Sequence, residues 1–163
     1  MNRDGERSMH FTHIQNGKAR QVDITNKPVV YRRALAEGTI ELKSETVNAI
    51  KQGSIEKGNV LNTATVAAVL ATKQTPNVIP FCHSIPLTSI NVDYSVLDTA
   101  IKATVEVKSE SKTGAEMEAL TGVTVALLTI WDMVKSNEKD ATGNYPATRI
   151  TDVRVSHKSK SER

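Results

Sequence analysis

KTGAEMEALTGVTVALLTIWDMVK, residues 112–135, is the stretch on which the fold turns. Leu120, Val123, Leu127, Ile130 and Val134 recur at alternating steps of three and four, the spacing of one helical face. Thr113 stands three residues ahead of Glu116, the capping-box spacing that satisfies orphan amides at a helix start. No proline interrupts the run, and Gly122 is its one interior weak point. The pattern predicts a helix of about 24 residues, roughly 36 Å long at ~1.5 Å per residue. Val125, Ala126, Leu128 and Trp131 put apolar groups on its other faces too, so a single sheet cannot cover it and a second subunit is expected to. The run ends in Asp132 and Lys135, three apart and therefore side by side. They read either as a surface ion pair where the helix emerges or as an acid–base pair at the mouth of a cavity.

Working outward from this helix, residues 1–12 form a polar tail, expected to be flexible, and a short element at 19–25 ends in the turn signal Asn26-Lys27-Pro28. Val29 to Leu42 is extended, interrupted by Gly38, and Thr39–Leu42 is its most strand-like part. Arg32 and Arg33 are adjacent, so in a strand they face opposite ways. Ser44 is placed to cap a short helix through about Lys51. A second helix, NVLNTATVAAVLATKQT, carries Ala64, Ala67, Ala68 and Ala71, whose small side chains permit close approach, and Pro76 is expected to end it. Pro76, Pro80 and Pro86 brace a loop holding Cys82 and His83. Ile90, Val92, Tyr94 and Val96 alternate with polar residues, and so do Ile101, Ala103, Val105 and Val107, which makes a hairpin. A last strand is expected at about 149–155.

Apart from the N-terminal piece, the order is strand, helix, strand, strand, helix, strand. The fold class is therefore α+β, a ferredoxin-like β-α-β-β-α-β plan with an antiparallel sheet, helices on one face and an extra N-terminal strand. One domain spans 13–156, and 157–163 reads as a basic C-terminal tail. This plan hosts many activities, so function must come from the residues.

Composition narrows the classes. With 39% hydrophobic and 24% charged residues the chain is ordinary for a soluble protein. A net charge of +3 suits an anionic small molecule but is weak support for nucleic acid. Only 4% of residues are aromatic, which argues against single-strand stacking, so no nucleic-acid partner is expected. Cys82 is the single cysteine, which excludes an intrachain disulfide. No unbroken apolar run reaches the ~18 residues of a membrane span. The N-terminus lacks an apolar signal core, so the cytoplasm is the expected setting, with no membrane partner.

The common phosphate-cradling loops, CxxC and HExxH are all absent, and four scattered histidines with one cysteine give no metal site. Cations and carboxylates at element ends remain. Lys57 precedes Gly58 just ahead of the second helix, where a loop cation and free amides could meet an anion, or where a lysine is simply solvated. His83 is either a hydrogen-bonded loop residue or a site residue. Glu116 is already explained by the capping box, Glu118 by a solvated helix position, and Lys158 by the tail. Glu116 and Asp132, 16 residues apart, lie roughly 160° apart around the helix and about 24 Å apart along it. One copy of the helix cannot bring both to one site. Either one of them is structural, or sites are shared between subunits.

KGNVLNTATVAAVLATKQTPNVIPFCHSIPLTSINVDY followed by KTGAEMEALTGVTVALLTIWDMVK closely resembles the cyclic pyranopterin monophosphate synthase family of molybdenum cofactor biosynthesis, over about 22–155. The blocks KG(D/N)V, P-x-CH-x-(I/L), KTG-x-EMEAL and T-I-(Y/W)-DM-x-K in this order carry the likeness. It implies a ferredoxin-like subunit and a hexamer built as a trimer of dimers, with active sites at the dimer interface. The reaction implied rearranges a cyclised dihydro-GTP to the pyranopterin ring system, closes a cyclic phosphate and releases pyrophosphate, with no metal or redox cofactor. It also implies Asp132 and Lys135 as the catalytic pair, with Lys57, Cys82, His83, Glu116 and Met117 in the substrate pocket. Arg32 would bind the triphosphate. Lys158 is implied more loosely, with Lys160 as the alternative, because this chain reads HKSKSER where the family often reads KSGG. A competing reading, from another class, is a purine-nucleotide sensor that binds without turnover.

Overall fold

A computed structural model of the chain describes residues 14, 15 and 17–161; the tail at 1–12 falls outside them. Two short strands, β1 (Ile14–Gln15) and β2 (Lys18–Ala19), form an antiparallel ribbon of their own. Then come β3 (Val30–Glu41), α1 (Ser44–Gln52), α2 (Val60–Val78), β4 (Leu87–Val96), β5 (Ala100–Ser111), α3 (Glu116–Glu138) and β6 (Arg149–Ser161). The sheet runs β4-β5-β3-β6, antiparallel throughout, so β3 and β4 are parallel with β5 between them. This is the expected β-α-β-β-α-β plan; the extra N-terminal element is a ribbon at 14–19 and not a strand at 19–25.

The core lies between the sheet and the α2–α3 layer. Ala34, Ala36 and Ile40 of β3 and Ile101, Ala103, Val105 and Val107 of β5 meet Val123, Leu127, Ile130 and Val134 of α3, all of them buried. At about 25 cal/mol per Å² of apolar area removed from water, each fully buried Leu or Ile contributes roughly 1.5–3 kcal/mol. The sheet's other face is charged: Glu37 accepts from Lys102 and Arg154, and Glu106 pairs with Arg33 and Lys108. This is why Arg33 and Arg32 point apart, as their adjacency requires.

Two glycines set how closely α3 approaches its neighbours. A Cβ at Gly38 would lie 2.8 Å from Leu127 Cδ1, so β3 runs unbroken through this glycine rather than stopping at it. A Cβ at Gly122 would collide with Thr72 Oγ1 of α2. Ala64, Ala68, Thr72 and Thr75 form the buried stripe of α2 that nests there. α2 therefore covers part of the α3 surface assigned above to a second subunit: Ala126 is fully buried, while Leu128 is 52% exposed. By length and composition α3 could cross a membrane, contrary to the reading of apolar runs, yet half of its most apolar window is buried inside the fold.

Four boundaries differ from the sequence reading. Lys43, not Ser44, is the N-cap of α1, because the Glu138 carboxylate takes the Lys43 amide and Ser44 becomes the first helical residue. Pro76 lies inside α2. Its missing amide would have reached the Thr72 carbonyl, and the Thr75 hydroxyl donates to that carbonyl instead, at 3.0 Å. α3 begins at Glu116 behind an Ala115 N-cap with no side-chain cap, so Thr113 and Glu116 form no capping box. The last strand does not stop near Val155 but pairs with β3 as far as Tyr31 opposite Ser161, so the expected basic tail is ordered sheet through Ser161.

β6 carries two irregularities. Asp152 and Val153 together face Gly38, with Asp152 in the left-handed region at φ 57°. Further on, Val155 pairs with Ala36 and His157 with Leu35, which leaves Ser156 as an extra residue; its hydroxyl donates to the Leu35 carbonyl at 3.3 Å. Each is a bulge that bends an edge strand. The second decides which side chains beyond it face the helices.

Candidate active site

At the C-terminal end of α3, Ile130, Met133 and Val134 are buried, so Asp132 and Lys135 emerge together on the solvent side of the same turns. Lys135 Nζ donates to Asp132 Oδ1 at 2.7 Å. Lys57 arrives from the loop between α1 and α2, where Gly58 at φ 101° permits the turn, and donates to Asp132 Oδ2 at 3.2 Å and to its carbonyl at 2.7 Å. Lys57 thus points to Asp132 and away from the α2 N-terminus, where Asn59 already accepts the Asn62 amide at 2.9 Å. The hydrogen bonds from Lys135 and Lys57 hold the Asp132 carboxyl below its ordinary range, and the bond to Asp132 raises Lys135 above its own. Of the two opposed influences on Lys135, the carboxylate outweighs desolvation, because all three side chains remain open to water. Trp131, the residue before Asp132, meets Tyr145 edge-on with ring centroids 5.7 Å apart.

At the N-terminal end of α3 lies a groove walled by residues 22–27, the Cys82–His83 loop and the first turn of the helix. The segment expected as a strand at 19–25 leaves β2 after Ala19 and is strapped across the groove. Gln21 donates to the Cys82 carbonyl at 2.9 Å, and Lys112 Nζ to the Thr25 carbonyl at 2.6 Å. His83 Nε2 sits 2.8 Å from the Val22 carbonyl; a carbonyl only accepts, so Nε2 carries the proton and a neutral ring keeps Nδ1 free to accept. Burial pushes the Cys82 thiol up, with the Glu118 charge adding to it, which suits a wall residue rather than a nucleophile. Met117, 39% exposed, lines the same groove.

Glu116 and Glu118 stand in contrast here. Burial works to raise Glu116, but the hydrogen bond from Lys158 at 2.8 Å, its own backbone amide and the Lys158 and Arg32 charges outweigh it, so it sits below the ordinary range. Glu118 is 3% exposed; burial raises it, and the Glu116 charge raises it further. Glu118 is therefore a buried carboxylate and not the solvated helix residue expected from its position in the sequence. The signal was available: 118, 122, 126 and 130 follow one another at steps of four, and the other three are Gly122, Ala126 and Ile130. A carboxylate on that stripe had to be buried.

The extra residue Ser156 puts Lys158 opposite Ala34, on the helix side of the sheet and within reach of Glu116. Lys160, two residues on, faces the same way opposite Arg32. Both lysines line one cavity with Arg32 and Glu116, and a second cavity beside it holds Lys27, Arg32 and Lys160 with no carboxylate in its wall. Arg32 donates to the carbonyls of Ser111 and Lys112 at 3.0 and 3.2 Å, which also fixes the entry to α3. Like charges directly opposite in a sheet repel, so this corner favours a bound anion.

The predicted residues therefore fall into two clusters. Arg32, Cys82, His83, Glu116, Met117 and Lys158 gather at one end of α3; Lys57, Asp132 and Lys135 gather at the other, about 24 Å away along its axis. No cluster of three or more His, Cys, Asp or Glu that could hold a metal exists among the described residues.

Comparison with known proteins supplies the remaining evidence. The model of the MoaC family matches residues 21–161. A probable cyclic pyranopterin monophosphate synthase of Methanoregula boonei is 58% identical over 154 residues, 94% of this chain and 99% of that one. Proteins of the same description from Methanococcoides burtonii and Pyrococcus abyssi are 57% and 55% identical, over 92% and 93% of this chain and 94% and 95% of theirs.

Proposed function

Because the chain belongs to the MoaC family, we propose that it is a cyclic pyranopterin monophosphate synthase of molybdenum cofactor biosynthesis, turning a cyclised dihydro-GTP into cyclic pyranopterin monophosphate and pyrophosphate. In class it is a phosphorus–oxygen lyase. The observation that carries the reading is the convergence of Lys57, Asp132 and Lys135 on one point at the end of α3.

The chemistry follows from these groups. Arg32, Lys27, Lys158 and Lys160 line an anion cradle suited to the triphosphate. Ring opening and reclosure need proton transfers, which Asp132 and Lys135 are paired to make. Closure of the cyclic phosphate forms a bond from a sugar hydroxyl oxygen to the α-phosphorus as the bond to the pyrophosphate oxygen breaks. The hydroxyl proton passes to the carboxylate side of the pair, and the cations take up the charge of the departing pyrophosphate. Exposed to water, Asp132 and Lys135 form a settled ion pair, a poor start for proton transfer; exclusion of water would disfavour both charges, raising the carboxyl and lowering the ammonium.

The 24 Å between the clusters supports a site shared between two subunits, each giving one end of its α3, in a hexamer of three dimers. The single free cysteine agrees with a cytoplasmic setting. The test is pyrophosphate release from enzymatically prepared cyclised dihydro-GTP. Wild type should release pyrophosphate with a fluorescent pterin oxidation product, and Lys135→Ala should lose about 10²–10⁴-fold. Binding without turnover in wild type would leave the sensor reading in its place.

A further inference from the structure

The most deeply buried carboxylate of the fold has no part in the proposed reaction. Glu138, on the last turn of α3, is fully buried. Neutral donors meet its carboxylate: the Lys43 amide lies 3.2 Å from both oxygens, and the Thr148 hydroxyl donates to Oε2. Lys43 answers in kind. Its Nζ donates to the carbonyls of Asn137 and Lys139 at 3.0 and 3.1 Å, the orphan acceptors at the end of α3. Each helix thus caps the other, the carboxylate at the positive end of α1 and the ammonium at the negative end of α3.

The same carboxylate closes a loop. Thr148 stands where the chain re-enters the sheet, so Glu138 holds both ends of the 139–148 segment that brings Tyr145 against Trp131. Within the loop Asp140 Oδ1 accepts from the Thr142 and Asn144 amides at 2.8 and 3.0 Å, which keeps it compact. Lys135 is one turn before Glu138, and Asp132 is one turn before that.

We propose that Glu138 is a positioning residue for the Asp132–Lys135 pair: by locking α3 to α1 and to the Tyr145 loop it fixes the turn from which both side chains project. It touches neither substrate nor the reacting atoms, and the proposal rests on the activity assigned above. A buried carboxylate satisfied only by neutral donors is costly in a fold that needs nothing more than a helix end, and its place beside the pair accounts for it.

The experiment compares wild type, Glu138→Ala, Glu138→Gln and Lys43→Met in turnover and in the emission of Trp131, the chain's single tryptophan. Glu138→Ala should lower kcat about 10–100-fold with KM little changed and shift the Trp131 emission. Glu138→Gln, whose carbonyl still accepts the Lys43 amide, should recover most of the rate. Lys43→Met, at a partly exposed position that leaves the core intact, should lower kcat by a smaller factor and decides the matter if Glu138→Ala does not fold. Folded variants that lose stability but keep wild-type kcat would overturn the proposal. Should wild type itself not turn over, the activity reading fails, and amide exchange judges the clamp: faster exchange across 132–138 in Lys43→Met upholds it, unchanged exchange overturns it.

Discussion

The two ends of α3 are built on opposite terms. The N-terminal end is finished within the chain: a strap over the groove, a buried Glu118, and a Glu116 already paired with Lys158. The C-terminal end presents Asp132, Lys135 and Lys57 to water, held only by one another. Surface ion pairs of this kind stabilise a fold by little, so the cluster is not there for stability. The difference teaches that one end is a prepared enclosure and the other a cluster of charges left open, which under the proposed function are the groups that still need covering. A second copy of the chain, docking one end over the other, would answer both.

The strongest way to break this comparison is to disable the ends separately. Asp132→Asn should cost about 10²–10⁴-fold in turnover while the melting temperature barely moves, since the side chain is exposed. Arg32→Ala at the other end should also be strongly impaired, since it removes a cation common to both cavities of the cradle. Co-expressed, two inactive variants of a shared site should recover about a quarter of wild-type activity, because random pairing leaves that share of sites with both ends intact. No recovery in co-purified mixed oligomers would place both ends of one site in a single chain and defeat the shared arrangement.

A smaller effect separates the ends from the middle they flank. Gly122→Ala should lower unfolding stability by about 1–3 kcal/mol in a denaturant titration, because the added methyl meets Thr72 Oγ1 across the α2–α3 contact. Gly143→Ala, in an open turn with no atom within 4 Å, should strain only its positive φ and cost less. Equal costs would mean that α2 and α3 do not nest as closely as described.

The smallest effect sharpens the contrast inside the N-terminal end. Glu116 is held below the ordinary 4.5, so its contribution to stability is present above that value and fades as pH falls through the lowered value. Glu118 is raised above 4.5; the folded state binds the proton more tightly, so stability is lost as pH climbs from 4.5 through the raised value. Melting curves should therefore show Glu118→Gln gaining about 2 °C on wild type at neutral pH with the gain vanishing in acid, and Glu116→Gln losing ground at neutral pH only. Parallel pH profiles for the two variants would remove the distinction drawn between these carboxylates.

The sequence made some of this plain and concealed the rest for identifiable reasons. The helical period of 120–134 and the alternation in β4 and β5 are strong signals because each element has one buried face, and they yielded the sheet order's connectivity. The pair Asp132–Lys135 followed from spacing alone. Pro76 misled because propensity rules do not see a neighbouring hydroxyl supplying the missing bond. The end of β6 misled because an edge strand rich in lysine shows no apolar alternation, although such charge is a common guard of exposed edges. Glu116 misled because two uses of the same carboxylate, cap and ion pair, share one local spacing, and only the arrival of Lys158 from the far end of the chain decides between them.

Ser156 makes β6 a strand that counts in odd and even. Were Ser156 drawn into the ladder opposite Leu35, His157 in place of Lys158 would stand opposite Ala34, and every side chain from there to the end would turn onto the other face of the sheet. Loss of Ser156 itself would only straighten the edge strand, with His157 still opposite Leu35 and Lys158 still opposite Ala34, whereas loss of His157 as well would set Lys158 opposite Leu35 and turn the cations of the cradle away from the helices.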